Sequence, residues 1–223
     1  MHSFHYQRGK LTCESYSLDK AAEHYGTPLY VYSSQTITDH YQRLDKSLRD
    51  LSHQICYAVK ANSNLAVVRL LAEHGAGFDI VSGGELYRVI KAGGNPLKCT
   101  FAGVGKSREE IEYALRSEVL SFNVESEQEL TAISEIAKSL HKRAPIAIRV
   151  NPGVSANTHK YISTGKRRTS LGSASIALRR FTGGFSHYPM LRSAAYRCTL
   201  GPKLSKRNRS STRSKKCCRL FGT

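Results

Sequence analysis

Long apolar runs are missing from this sequence of 223 residues. No stretch approaches the roughly 20 consecutive apolar residues that a membrane-spanning helix needs. Residues 1–8 also lack the apolar segment of a signal peptide. The six cysteines show no C-x-x-C spacing or other spacing typical of metal ligands. We therefore expect a cytoplasmic protein with reduced cysteines, no metal site and no membrane association.

Acidic side chains are missing from the last quarter of the chain. Residues 167–223 contain fourteen Lys or Arg and no Asp or Glu, which accounts for most of the net charge of +17. Residues 1–166 contain twenty basic and seventeen acidic residues and are close to neutral. Because the composition changes here, we predict three parts: an N-terminal segment (1–27), a folded domain (28–166) and a basic, low-order or non-native tail (167–223).

Short apolar runs alternate with amphipathic segments in the folded domain. Three of the predicted helices begin with an S-x-x-E capping box, at Ser82, Ser107 and Ser126. The alternation predicts an α/β fold of about five βα units with a parallel sheet, either an open doubly wound sheet or a closed barrel. The apolar runs centre near residues 57, 79, 101, 122 and 148, and the predicted helices cover 65–74, 84–92, 108–116 and 127–140.

The pattern upstream of these units is less regular. Residues 17–26 predict a short capped helix that ends at a glycine. Residues 28–32 are rich in β-forming residues and predict a strand. Residues 34–51 have apolar positions at helical spacing and predict an amphipathic helix.

Lys60 ends the first apolar run and opens a polar turn. A lone lysine at a strand end most often extends along the apolar surface and reaches water. The alternative is a lysine at the mouth of a pocket, where loss of water makes its amine reactive enough to form a Schiff base. Because parallel α/β sheets bind ligands at the C-terminal ends of their strands, we favour the second interpretation.

Polar or charged residues follow the other strands as well. Asp79 and Arg149 lie within apolar runs, where a charge needs a partner or a ligand to offset its loss of water. Polar groups also end the second, third and fourth strands, in residues 82–85, in residues 103–106 and at Asn123 with Glu125. Each motif alone is weak, but five polar strand ends in succession predict a ligand site at one edge of the sheet.

Several of these motifs lie in stretches that resemble one known family. The matching stretches are residues 57–62, 77–86, 103–106, 122–126, 149–153 and 158–165. Over residues 12–166 the chain resembles the diaminopimelate decarboxylases, in the alanine-racemase-like group of pyridoxal-phosphate enzymes (group IV decarboxylases). The last stretch favours this family over its ornithine and arginine decarboxylase relatives.

The resemblance implies a (β/α)8 TIM barrel followed by a β domain, in a homodimer with shared active sites. It implies that Lys60 is the catalytic lysine and forms a Schiff base with pyridoxal 5'-phosphate. It also implies that Asp79, Glu85 and Arg149 bind the cofactor or lie beside it. The implied reaction is the decarboxylation of meso-2,6-diaminopimelate to L-lysine, in lysine biosynthesis.

The resemblance ends after Lys166. Possible codons for residues 167–173, read one base earlier, give Ala-Glu-Asn-Lys-Phe-Gly-Ile. The same shift within residues 194–203 gives Gly-Ile-Ser-Val-His-Ile-Gly-Ser-Gln, and both peptides match motifs of the family. We therefore predict that a base is missing near codon 166 and that residues 167–223 are translated out of frame. The alternative is a genuine basic tail that binds nucleic acid through its phosphates.

A shift at this position leaves about five of the eight barrel strands. We then expect a partial barrel with marginal stability and no decarboxylase activity, because the family's motifs for the cofactor ring and phosphate follow residue 166. A second hypothesis is a non-catalytic barrel that binds pyridoxal phosphate. The third is a nucleic-acid-binding tail on a barrel fragment. We favour the first hypothesis, the inactive decarboxylase fragment, which needs no nucleic-acid partner.

Overall fold

The computed structural model describes residues 3–151, 173–174 and 188–198. A small antiparallel sheet forms the N-terminal part of the described chain. Its strands are β1 (Phe4–Gln7), β2 (Lys10–Cys13) and β3 (Tyr16–Ser17). The two tight turns contain Arg8 at φ 51° and Glu14 at φ 56°, in the left-handed conformation that such hairpin turns require. Helix α1 (Leu18–Tyr25) follows directly and ends at Gly26, as the sequence predicts.

Five parallel strands with their helices form the main body of the described chain. The strands are β4 (Cys56–Ala58), β5 (Gly77–Ile80), β6 (Cys99–Phe101), β7 (Ser121–Val124) and β8 (Ala144–Asn151). Helix α2 (Ser34–Leu48) precedes β4, and the others are α3 (Leu65–Glu73), α4 (Gly83–Lys91), α5 (Arg108–Arg116) and α6 (Glu127–Ser139). Two 3-10 turns cover Val59–Ala61 and Pro96–Lys98.

The order of the strands decides between the two predicted architectures. Strands β4 to β8 lie side by side in chain order, and each neighbouring pair is parallel. A doubly wound sheet reverses its strand order at a switch point, whereas a barrel keeps the chain order. The structure is therefore a partial (β/α)8 barrel.

Side chains alternate between the two faces of this sheet. The face toward the helices carries the large apolar residues, and Phe78, Ile80, Phe101 and Phe122 are all buried there. A closed barrel normally fills its interior with branched apolar side chains. Here the opposite, interior face is small or polar, which leaves room for a polar ligand. Its residues are Ala58, Asp79, Thr100, Ser121, Asn123, Ala147 and Arg149.

The predicted capping serines all begin helices. In α4, α5 and α6 the serine hydroxyl accepts from the main-chain N–H three residues later, at 3.2 Å in each case. Glu110 completes the reciprocal box at the start of α5 by accepting from the N–H of Ser107 at 3.0 Å. These local bonds fix where each helix starts and therefore how each strand end is presented.

Residues 28–32 differ from the prediction, because they form no strand. A strand needs a neighbour for its main-chain groups, and no described strand lies beside this segment. Tyr30 and Tyr32 are 85% and 55% exposed. Helix α2 starts at Ser34 as predicted and ends three residues earlier than expected.

The structure describes part of the basic tail, residues 191–198. This segment forms β10 (Leu191–Cys198), parallel beside β8, while the short β9 (Ser173–Ala174) pairs with the end of β8. An unpaired β8 would expose a row of main-chain groups, and β10 satisfies them. The rest of the tail, the predicted boundary at residue 166 and the stretch 158–165 lie outside the described residues.

The described sheet has two edges. Strands β4 and β10 each pair with a single parallel neighbour in the part of the chain that the structure describes. None of the helices in that part is long and apolar enough to cross a membrane. The edge position of β4 matters below, because Lys60 follows this strand.

Candidate active site

Lys60 lies where the sequence predicts, directly after β4. It occupies the middle of the 3-10 turn Val59–Ala61, at the C-terminal edge of the sheet. The hydroxyl of Tyr57 donates to the carbonyl oxygen of Asn62 at 3.1 Å and so closes the turn around the lysine. Burial raises the pKa of the Tyr57 hydroxyl, which therefore keeps its proton at neutral pH.

The surroundings of Lys60 differ from the prediction. The sequence predicts an amine shielded from water, whereas Lys60 is exposed. Its position explains the difference, because β4 is an edge of the described sheet and has a neighbour only on the β5 side. The amine is accessible to a carbonyl compound in solution, which covalent attachment requires.

Asp79 lies on the interior face of β5, next to the strand that carries Lys60. Its register partner on β4 is Ala58, two residues before the lysine. On the other side, Thr100 Oγ1 donates to Asp79 Oδ1 at 2.9 Å and fixes the carboxylate. The structure therefore brings these two predicted site residues to neighbouring strands at the same edge.

Glu85 makes a helix-capping contact. Its Oε2 accepts from the main-chain N–H of Val81 at 2.8 Å, and its own N–H donates to Ser82 Oγ at 3.2 Å. These bonds hold the side chain against the start of α4. The cofactor contact implied by the resemblance stays a prediction, because the observed contacts of this carboxylate account for a structural role.

The first residue of α4, Gly83, is also held by the next βα unit. Glu110 Oε1 accepts from the N–H of Gly83 at 2.8 Å, while its other oxygen bonds its own helix start. A Cβ atom on Gly83 would lie 3.2 Å from Glu110 Cγ, so the contact is close. The capping glutamate of α5 thus positions the start of α4 in the preceding unit.

Arg149 lies on the interior face of β8 and pairs with a carboxylate from the end of β7. Its Nη1 lies 2.9 Å from Glu125 Oε1, and the two side chains are 16% and 4% exposed. The sequence predicts that Arg149 needs a partner or ligand, and the structure supplies Glu125. Removing one member of such a buried pair leaves an uncompensated charge, so each holds the other in place.

A second buried ion pair lies close to the first, and sequence reasoning did not find it. The ammonium of Lys106 contacts the carboxylate of Glu129 and donates to the carbonyl oxygens of Gly103 at 2.7 Å and Asn123 at 3.3 Å. The Lys106 side chain is 1% exposed. Lys106 ends the polar stretch 103–106 and Glu129 belongs to the capping box of Ser126, both noted above, but their meeting depends on the pairing of β6 with β7.

Two buried polar atoms in the region of these two ion pairs, Arg149–Glu125 and Lys106–Glu129, have no hydrogen-bond partner among the described residues. They are Asn123 Nδ2 and Glu125 Oε2. An unsatisfied buried polar group costs about 1–3 kcal/mol, so both atoms favour a site that a polar ligand completes. Pyridoxal phosphate carries anionic oxygens, which suit the Asn123 Nδ2 donor and Arg149, and an aldehyde, which suits the amine of Lys60, so these groups fit the cofactor. Glu125 Oε2 is an acceptor and needs a donor group of the ligand instead.

Comparison with known proteins agrees with the resemblance in the sequence. The family model of the pyridoxal-dependent decarboxylases, pyridoxal binding domain, matches residues 34–183. The diaminopimelate decarboxylase of Vibrio cholerae is 53% identical over 173 residues, which are 77% of this chain and 42% of that protein. The Haemophilus influenzae protein of the same name is 44% identical over 205 residues, 92% of this chain and 49% of that protein. The chain spans about half the length of the curated relatives it matches.

Solved structures of this family share the fold. The diaminopimelate decarboxylase of Helicobacter pylori, complexed with L-lysine, superposes with a TM-score of 0.83 at 36% identity, over 92% of this chain and 52% of that one. The M. jannaschii enzyme in co-complex with L-lysine gives 0.82 at 34% identity, over 91% and 48%. Because the family model of their pyridoxal binding domain matches well over half of its residues, the chain belongs to the pyridoxal-dependent decarboxylases.

Proposed function

We propose that this chain supplies the cofactor-binding part of a decarboxylase that converts meso-2,6-diaminopimelate to L-lysine. The observation that carries the proposal is Lys60, an accessible amine in a fixed turn at the ligand-binding edge of a parallel sheet. Relatives named diaminopimelate decarboxylase support the substrate, at 53% and 44% identity. The L-lysine complexes of two such proteins support the product.

The side chains of this site have separate roles in the proposal. Bound pyridoxal phosphate supplies an electron sink for the electron pair that remains when a carboxylate leaves as CO2. Lys60 holds the cofactor covalently. Arg149, kept on the interior face by Glu125, places a positive charge where it favours an anionic group. Asp79, fixed by Thr100, places a negative charge beside the strand of Lys60.

The proposal extends to the whole protein of which such a domain is part. We assign it a small amino-acid substrate, a homodimer and a cytoplasmic location, with no nucleic-acid or membrane partner. Support for the dimer comes from the family resemblance, and support for the location comes from the biosynthetic role of the named relatives.

Covalent trapping tests the role of Lys60. The chain is incubated with pyridoxal phosphate, reduced with borohydride and digested, and mass spectrometry locates the modified lysine. We expect Lys60 to be the main modified position and Lys60→Ala to lose the label. The control is Lys91→Ala, which removes an exposed lysine of α4 and should leave the label at Lys60 unchanged. Equal labelling of several exposed lysines would refute the proposal.

A non-catalytic barrel that binds pyridoxal phosphate is the second candidate, and the exposure of Lys60 favours it. It predicts the same label at Lys60 but no CO2 release and no L-lysine from meso-diaminopimelate, even when the reading frame after residue 166 is restored. A chain that takes up no label and binds RNA in a salt-sensitive manner would instead support the basic-tail hypothesis. Label and RNA binding measured on this chain, together with CO2 release measured on the chain with the restored reading frame, separate the three.

A further inference from the structure

Glu129, the capping glutamate of α6, uses its two carboxylate oxygens for different partners. Oε1 contacts the ammonium of Lys106, and Oε2 accepts from the main-chain N–H of Glu125 at 2.9 Å. Glu125 in turn holds Arg149 through its own carboxylate at 2.9 Å. A continuous series of bonds therefore leads from the loop after β6 to the interior face of β8.

Lys106 is tied to this region by further contacts. Its ammonium donates to the carbonyl oxygen of Asn123 at the end of β7 and lies 5.5 Å from the centre of the Phe101 ring. The loop that carries it turns at Gly103 and Gly105, with φ of 94° and 75°, conformations that glycine adopts readily. These turns bring Lys106 back toward β7, so one side chain joins the β6 loop, the end of β7 and the start of α6.

Stability alone does not account for this buried pair. Taking an ammonium and a carboxylate out of water offsets most of their attraction, and apolar residues of similar size often stabilise a fold as well or better. We therefore attribute the role of the Lys106–Glu129 pair to the geometry that it imposes on neighbouring residues. The neighbour with chemical consequences is Glu125, because its carboxylate is 4% exposed and holds Arg149.

We propose that Lys106 and Glu129 are positioning residues for the cofactor site. They fix the main chain at Glu125, so that Glu125 and Arg149 form a charge pair of defined geometry toward the bound cofactor. The inference rests on the proposed function, because it takes Arg149 as part of that site. Lys106 and Glu129 act through these two residues and are not themselves catalytic.

The test replaces both members of the pair together, because removing one would leave the other charged and buried. Lys106→Met with Glu129→Met keeps the volume and removes the acceptor for the Glu125 amide. In the apo chain we expect hydrogen exchange of that amide, followed by NMR, to become at least about tenfold faster. The matched control is Lys142→Met with Glu118→Met, which removes a pair that is 36% and 68% exposed near the N-terminal ends of the strands. The control should leave the exchange unchanged.

The second readout is the affinity for pyridoxal phosphate, measured with and without Arg149→Met combined with Glu125→Gln, because Arg149→Met alone would leave Glu125 charged and buried. We expect the substitution of Lys106 and Glu129 to weaken binding about tenfold, the size of effect that outer hydrogen-bond partners have at metal sites. In the background that lacks the Arg149 pair it should cause no further loss, because Lys106 and Glu129 act through that pair. A purely structural role would weaken binding equally in both backgrounds.

The outcomes separate this inference from the proposed function. Unchanged exchange at Glu125 overturns the inference whether or not the chain binds the cofactor, and so does an equal loss of affinity in both backgrounds. If the unsubstituted chain binds no pyridoxal phosphate, the proposed function fails, and exchange at Glu125 alone decides the inference. Circular dichroism confirms folding; if the double variant unfolds, Lys106→Met with Glu129→Gln replaces it in the affinity measurement.

Discussion

Glu14 joins the N-terminal sheet to the first helix of the barrel, and Glu14→Gln should weaken this connection in a pH-dependent way. The Oε1 atom of Glu14 accepts from Ser33 Oγ at 2.8 Å, from Ser34 Oγ at 3.1 Å and from the N–H of Gln35 at 2.9 Å. These residues are the cap and the first turn of α2. A negative charge is favourable there because the N-terminus of a helix carries a partial positive charge.

The magnitude follows from these contacts. The main-chain bond from Gln35 lowers the pKa of Glu14 most, and the hydroxyl of Ser33 lowers it further. A negative charge at a helix N-terminus contributes about 0.3–1 kcal/mol, and hydrogen bonds to a charged group are roughly twice as strong as neutral ones. Because Glu14 is partly exposed and Gln keeps an acceptor oxygen, we expect a loss of about 1 kcal/mol in the free energy of unfolding at neutral pH.

The sign of the pH dependence is fixed by the lowered pKa. The stabilisation is fully present above the ordinary carboxyl pKa of about 4.3 and is lost as the pH falls through the lowered value. Urea unfolding of both proteins should therefore differ at about pH 7 and differ less in acid, at a pH well below the ordinary carboxyl pKa. The control, Glu135→Gln on the exposed side of α6, should match the parent at both pH values. A difference for Glu14→Gln that persists undiminished in acid would refute the role of the charge.

Three further predictions concern the barrel. Tyr57→Phe removes the bond that closes the Lys60 turn, so we expect about 1 kcal/mol less stability and slower borohydride-trapped labelling of Lys60; labelling at the parent rate would contradict this. Glu110→Ala removes two hydrogen bonds from main-chain N–H groups, including the one from Gly83, and should lower the free energy of unfolding by about 1–2 kcal/mol. Thermal unfolding measures this loss, and the control Glu135→Ala should have only a small effect. Resequencing codons 160–175 should reveal one additional base, and the chain with that base restored should form L-lysine; an unchanged sequence refutes the reading-frame hypothesis.

The helices could be predicted because their signals are local. Helix α5 has the predicted bounds, Arg108–Arg116, since its cap, its glutamate and its apolar positions all lie within ten consecutive residues. The parallel sheet was predictable from the alternation of strands and helices. The choice of a barrel was not, because strand order depends on which strands pair, and the individual runs carry no signal for it.

The ion pairs of the site lie beyond such local signals. Arg149 and Glu125 are 24 positions apart and meet only because β7 pairs with β8 in a particular register. The S-x-x-E box identifies Glu129 as a capping residue, but not the lysine that its second oxygen reaches. Glu85 shows the converse, since the resemblance placed it near the cofactor while its spacing from Ser82 already implied a role at the start of α4. There its carboxylate accepts from the N–H of Val81.

Burial at the two edges of the sheet has one physical cause. Strands of a parallel sheet are covered on both sides, so the apolar run at residues 55–59 predicts a buried site for the residue that follows. In the structure β4 has one neighbour, Cys56–Ala58 are only half-buried, and Lys60 is exposed. At the other edge, β10 carries the exposed Arg192 and nevertheless pairs with β8, because the main-chain groups of β8 offer hydrogen-bond partners to β10. Burial at an edge is therefore decided by the segment that lies alongside, and shielding of Lys60 depends on what covers β4 rather than on any pattern within residues 55–60.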